Sequence, residues 1–328
     1  MRHAWQERLV STVPYIIAGI ILVILFPFLP AYAQSMLTQI LIFGIFAMSL
    51  NLLVGYTGLF SLGHAAFFGV GGYTSAILMT KLGITSFWLA APAGVLAAAI
   101  VAAVCGVIAL RAAGIYFLFI TLTLGELLTA VVLRWNSMTG GATGITGIGY
   151  PDLGFHFTMD ETSFYYFVLV ILIICAFLMY RFITSPFGRA LQGIREDERL
   201  MQHLGYNTWL SKYITFIVAG LFAGVAGILF GHSNSILVSS NLSVTMSTMV
   251  MLMVIIGGSS TVFGPVIGAA VVLFLQYYAS ILTPERWPLV LGGAFVVSVM
   301  FLRGGVSIYL LRLWNIIKRR YGYGNTAD

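Results

Sequence analysis

Long apolar runs, separated by short polar interruptions, dominate the chain. Ten such segments can be read, at about 12–32, 36–54, 58–80, 87–110, 114–134, 163–181, 212–232, 243–257, 262–283 and 287–303. A span needs about 20 apolar residues. Most of the ten meet that length, so the pattern predicts an all-α, polytopic transmembrane helix bundle of eight to ten spans, with ten preferred. The eighth segment is short and the third is rich in glycine, so either is open to being broken or re-entrant. Two glycine-rich stretches, at 50–73 and 255–268, hint at an internal repeat of the kind many transporters carry.

Only one long polar run lies between hydrophobic segments, at Thr184–Lys212. With Arg181 just upstream it holds Arg189, Arg195, Glu196, Asp197, Glu198, Arg199 and Lys212. That makes eight of the 26 charged residues of the chain. Ser185 followed by Pro186 is a helix start, because a serine hydroxyl caps the first turn and proline has no N–H to leave unpaired there. Phe187, Ala190, Leu191, Ile194, Met201 and Leu204 then recur at helical spacing and predict one apolar face. Gly205 suits a left-handed cap at the far end. The expectation is a single amphipathic helix, between membrane spans, that another protein grips.

Composition removes a soluble fold from consideration. The 328 residues are 60% hydrophobic and 8% charged, where soluble domains carry about 25% charged residues. The whole chain is therefore read as one transmembrane domain, 1–328. The excess of basic residues has a location that gives its meaning. With the N-terminus inside and the spans alternating, 13 Lys and Arg fall inside and 3 outside (Lys81, Arg134 and Arg286), as the positive-inside rule requires. This puts both termini, the 184–211 loop and the basic tail 304–328 on the cytoplasmic side, and the loop 135–162 outside. Nucleic-acid binding is the poorer reading of the tail, since it directly follows a span. All six tryptophans sit at or just beyond segment ends, where indole prefers the interface. Ala31-Tyr32-Ala33 resembles a signal-peptidase site, but the apolar run before it is long for a signal, so an uncleaved first span is expected. Cys105 and Cys175 fall within spans and read as packing residues.

Candidate chemistry is sparse. In 50–73 glycines and polar groups interleave, with Asn51, Tyr56, Thr57, Ser61 and His64 among Gly55, Gly58, Gly63 and Gly69. Close helix packing explains this equally as well as a solute path does. Glu126 is the only acid well inside a span. It would cost ~2.5–3.5 kcal/mol or more against lipid, so it faces either a pathway or a structural partner; Tyr116, Thr121 and Thr123 lie on the same segment. The outer loop carries T-G-G-A-T-G-I-T-G-I at 139–148, which is either a docking surface or a connector. The chain has no P-loop lysine and no Cys/His cluster with metal-ligand spacing, so neither ATP nor a metal is expected on it.

Four motifs, spread over most of the chain, carry a family resemblance. They are L-N-L-L-V-G-Y-T-G-L-F-S-L-G-H-A-A-F-F-G (50–69), Y-F-L-F-I-T-L-T-L-G-E (116–126) with T-G-G-A-T-G-I (139–145), G-R-A-L-Q-G-I-R-E-D-E (188–198) with Leu204-Gly205, and I-G-G-S-S-T-V-F-G-P-V-I-G-A (256–269). The sequence resembles the LivM-type permease subunits of branched-chain amino acid ABC importers. It departs from them slightly at Leu302-Arg303-Gly304-Gly305, where an Arg-Pro-Arg-Gly-like run is common. The resemblance implies a sister LivH-like permease, two cytosolic ATPases holding ATP and Mg²⁺, and a periplasmic solute-binding protein, with the chain itself doing no chemistry. It also implies that residues 185–205 are the coupling element, with Ser185, Arg189, Arg195, Glu196, Asp197, Glu198, Arg199 and Gly205 at the ATPase and Phe187 and Leu191 packed into its groove. Asn51, Tyr56, Ser61, His64, Tyr116, Thr121, Thr123 and Glu126 are the candidate pathway residues. The solute is a branched-chain amino acid or a related small polar molecule such as urea, an amide or an aromatic acid. The main alternative is an ion-driven secondary transporter with Glu126 as its coupling site. An intramembrane enzyme lacks clustered catalytic groups, and a purely structural subunit leaves the cytoplasmic handle unexplained.

Overall fold

The computed structural model describes residues 26–84, 86–152, 154, 159–259, 261–282 and the isolated positions 289, 292–293, 296, 300 and 305–307. The first expected segment lies mostly outside these residues, as does nearly all of the tenth, and so does most of the basic tail. The helices, in chain order, are α1 (Ala31–Val54), α2 (His64–Thr80), α3 (Phe87–Ala109), α4 (Ile115–Arg134), α5 (Asn136–Thr139), α6 (Glu161–Thr184), α7 (Pro186–Glu196), α8 (Glu198–His203), α9 (Thr208–Asn234), α10 (Val244–Gly257) and α11 (Gly264–Leu282). Among the described residues, six helices are long and apolar enough to cross a membrane: α1, α3, α4, α6, α9 and α11. The chain is an integral membrane protein built as an all-α bundle. The count of ten spans is not reached among the described residues: the third and eighth segments give shorter helices, and the first and tenth lie largely outside. The third begins its helix only at His64, after a non-helical stretch, and the eighth is the 14-residue α10.

Helix α1 is the centre of the bundle. It is apolar on all sides, and 89% of its most apolar window is buried, against 22% for α4. A helix without a polar face must be surrounded, and α9, α11, α6 and α10 do this. On one flank α2, α3 and α9 pack together. The α2–α9 crossing is made by glycine. A Cβ on Gly227 would lie 1.8 Å from the Phe68 carbonyl oxygen, and one on Gly71 would lie 2.5 Å from Gly224 Cα. The two backbones touch, as small residues allow in a membrane. Rings fill the adjoining core: Phe46 stacks on Phe68, and Phe67 meets Phe216 edge-on.

On the expected outer side, the loop after α4 is ordered by one small β pairing. Ile145–Thr146 (β1) runs antiparallel to Ile236–Leu237 (β2), which follows α9. Gly149 then offers its carbonyl to His232 Nδ1 at 2.6 Å. Burial, followed by the Glu161 and Asp160 carboxylates, holds the Tyr150 phenol above its ordinary value. The tryptophan expectation holds where it can be read: Trp88, Trp135 and Trp209 lie at the ends of α3, α4 and α9. Trp5, Trp287 and Trp314 are outside the described residues.

Candidate functional site

The polar stretch 184–211 forms two helices, not one. Ser185 caps α7 as the sequence predicts, its hydroxyl accepting the Gly188 N–H at 3.1 Å with Pro186 at the first position. The helix stops at Asp197, whose backbone is extended (φ −150°, ψ 101°) and whose carboxylate accepts the Leu200 N–H at 3.0 Å to start α8. Asp197 is thus a cap inside the expected helix. Gly205 does take the left-handed conformation, with φ 86°. The predicted apolar face is real only on α7. Ala190, Leu191 and Ile194 are buried, while Leu204 is 64% exposed.

This changes what the stretch offers a partner. Leu191 is 1% exposed, so it packs within this chain and is corrected from the expectation that it fills another protein's groove. Phe187 is half-buried, its ring 5.2 Å from that of Phe182. Glu198 is half-buried and paired with Lys212 at 2.6 Å. Arg195 donates from Nη1 to the Gly55 carbonyl, just past the end of α1. Arg189, Glu196 and Arg199 are exposed, and so is Asp197 beside its capping bond.

The eight candidate pathway residues divide into an inner set of five and an outer set of three. Asn51, Tyr56, Ser61, His64 and Thr121 are buried. Three of them, Asn51, His64 and Thr121, make hydrogen bonds in and around the non-helical stretch before α2. Thr121 Oγ1 accepts the Leu62 N–H at 3.3 Å and donates to the Leu118 carbonyl at 2.9 Å. His64 Nε2 meets Ser49 Oγ at 2.9 Å, and its ring stacks on Phe46. Asn51 Nδ2 donates to the Thr261 carbonyl at 3.1 Å, tying α1 to the second glycine-rich turn. Ser61 lines a small cavity with Thr121, Gly125 and Phe216. Among the described residues, Asn51 Oδ1, Ser61 Oγ and His64 Nδ1 are buried without a hydrogen-bond partner.

Tyr116, Thr123 and Glu126 form the outer set. They recur at helical spacing on the exposed face of α4, with Tyr116 at 72% exposure. Glu126 lies midway along α4. Its Oε1 accepts the Val244 N–H at 3.3 Å, so the carboxylate meets the N-terminus of α10, whose partial positive charge favours it. Thr245 and Thr248 of α10 continue the exposed surface. Two short helices start near this depth of α4: α10 at Glu126, and α2 beside Gly125, where a Cβ would lie 2.9 Å from Gly63 Cα. They are also joined directly, the Ala65 N–H donating to Ser247 Oγ at 2.9 Å. Sequence reasoning missed Ser49 and Ser247, whose importance depends on partners 15 and 182 residues away. Among the described residues there is no cluster of three His, Cys, Asp or Glu placed to hold a metal.

Two short helices thus start beside the middle of α4, next to an exposed carboxylate. The model of the branched-chain amino acid transport system permease component matches residues 32–301. The chain belongs to this family. It is 29% identical over 316 residues to the high-affinity branched-chain amino acid transport permease LivM of Escherichia coli K12, covering 89% of this chain and 74% of that protein. The LivM of Methanocaldococcus jannaschii, a probable branched-chain amino acid transport permease, is 26% identical over 258 residues, 68% of this chain and 74% of that one. The LivH permease of Salmonella typhimurium is 21% identical over 274 residues, 79% and 89% respectively. No solved structure matches. This family member is a permease subunit of an ABC importer.

Proposed function

We propose that the chain forms one half of an inner-membrane pathway for branched-chain amino acids or a related small polar solute, with a LivH-like sister permease as the other half. The single observation that carries the reading is Glu126. It is exposed halfway along an apolar helix, where lipid contact would cost ~2.5–3.5 kcal/mol or more. One hydrogen bond to Val244 does not remove its charge from that surface. The α4 face with Tyr116, Thr123 and Glu126 is therefore the side that meets water, solute and the sister chain. Its likeness to both LivM and LivH relatives supports a pair of related permeases.

Both termini and the α7–α8 element lie in the cytoplasm, where two ATPases carrying ATP and Mg²⁺ drive the cycle. Ser185 shapes the docking element, and the exposed Arg189, Glu196, Asp197 and Arg199 make the contact, with Phe187 at its edge. A periplasmic binding protein delivers solute to the loop 135–162. The test is a gentle-detergent purification of the chain expressed with its genomic neighbours, followed by mass spectrometry. ATPases and a second permease should co-purify. A chain that purifies alone, and takes up solute in proteoliposomes under an ion gradient, would overturn the reading in favour of a secondary transporter.

A further inference from the structure

Arg195 is exposed, but its guanidinium turns back onto the bundle. It sits in the last turn of α7 and donates to the carbonyl of Gly55, the residue that ends α1. A cation there meets the negative end of a 24-residue helix. Its side-chain stem also lies against the following turn: a Cβ on Gly58, which has φ 73°, would be 3.3 Å from Arg195 Cγ. The same end of α1 touches the second glycine-rich turn. Asn51 is bonded to Thr261, and a Cβ on Gly55 would lie 2.4 Å from the Ser259 carbonyl oxygen. The docking helix, the central helix and both irregular segments that lead into α2 and α11 therefore converge at Gly55.

We infer that Arg195 is a transmission residue, a positioning group that makes α7, the end of α1 and the 55–63 stretch move as one body when the ATPases close. The inference rests on the proposed docking role of α7–α8 and adds that Arg195 also works inward. An arginine suits this because its fork can hold a carbonyl while its stem packs on the adjacent turn. The geometry also explains why side chains are excluded at Gly55, where an added carbon would collide with Ser259 and Asn51.

The test uses the complex with its own ATPases, sister permease and binding protein. Arg195→Met should retain the ATPases at wild-type stoichiometry while solute uptake falls about tenfold, the scale of coupling through a single contact. Arg195→Lys, which keeps a donor, should recover uptake to within about threefold of wild type. Loss of the ATPases from Arg195→Met, or wild-type uptake by it, would overturn the inference. A second measurement does not depend on how that variant folds. Spin labels on Gln192 and Phe60 of an otherwise native chain should keep their separation to within about 2 Å between resting and nucleotide-trapped states, since rigid bodies move without internal change. A larger change would sink the idea. A wild-type chain that retains no ATPase would instead show that the docking role itself is wrong.

Discussion

Gly227→Ala tests whether the α2–α9 contact is as close as described. The added methyl would sit 1.8 Å from the Phe68 carbonyl oxygen and 2.7 Å from its carbon, where ordinary contact begins at 3.4 Å. Both obstacles are backbone atoms, so no rotamer change relieves them. The two helices would have to part by more than an ångström. Gly71 and Gly72 meet Gly224 and Gly227 along the same line, so the whole crossing opens together. Overpacking of this kind costs typically about 1–3 kcal/mol, and the absence of a yielding side chain puts this site at the upper end. For a chain of 328 residues, with an unfolding entropy of about 2.1 cal/mol/K per residue, that corresponds to a drop of roughly 1–4 °C in midpoint. Gly149→Ala is the control: nothing lies within 4 Å of the added carbon, and the backbone there is not left-handed. Purified variants would be heated in detergent and the folded fraction read by size-exclusion chromatography. If Gly227→Ala melts with Gly149→Ala and the wild type, the close approach is refuted.

Glu126→Gln should lower solute uptake about tenfold while the subunits still co-purify, because the charge serves the exposed surface and not the core; wild-type uptake by the amide, whose oxygen still accepts the Val244 N–H, would show that bond to be the main role of the side chain. Arg189→Ala, Glu196→Ala and Arg199→Ala combined should leave insertion intact and reduce ATPase retention, and unchanged retention would remove the docking assignment. His232→Ala leaves the Gly149 carbonyl without its 2.6 Å donor, costing about 1–3 kcal/mol and exposing the outer loop to protease; an unchanged digestion pattern would refute this. Ser185→Ala should cost about 1 kcal/mol by uncapping α7, seen as faster hydrogen exchange at Gly188 and Arg189, and equal exchange in the two proteins would contradict the cap.

Hydropathy located the long spans well, since their signal is local and repeated: α4 was expected at 114–134 and runs Ile115–Arg134. The Ser185-Pro186 start was equally legible, because a cap is a matter of three adjacent residues. The break at Asp197 was not. Its neighbours Glu196 and Glu198 read as ordinary surface, and only the carboxylate bond to Leu200 marks a new helix start. Glycines at 55–63 suggested irregular backbone without locating where helix resumes, which depends on Thr121 capturing the Leu62 N–H from another helix. Polarity in the sequence groups buried Asn51 and His64 with exposed Tyr116 and Glu126. Direction is a tertiary property, and the inward turn of Arg195 had no sequence signal at all.

The exposed Glu126 also has a bearing on how the subunit is made. A newly inserted chain presents this carboxylate at mid-depth before any neighbour covers it, beside the short helices α2 and α10 of 17 and 14 residues. Water and headgroups must then dip toward it, and the bilayer thins locally. If α4 is the face that meets the sister permease, as proposed, that deformation disappears when the second chain takes the place of lipid there. Pairing thus relieves a defect in the surrounding membrane as well as creating contacts. Overproduction of this subunit alone would accumulate a protein that perturbs its own bilayer, and co-translation with a partner is the natural remedy.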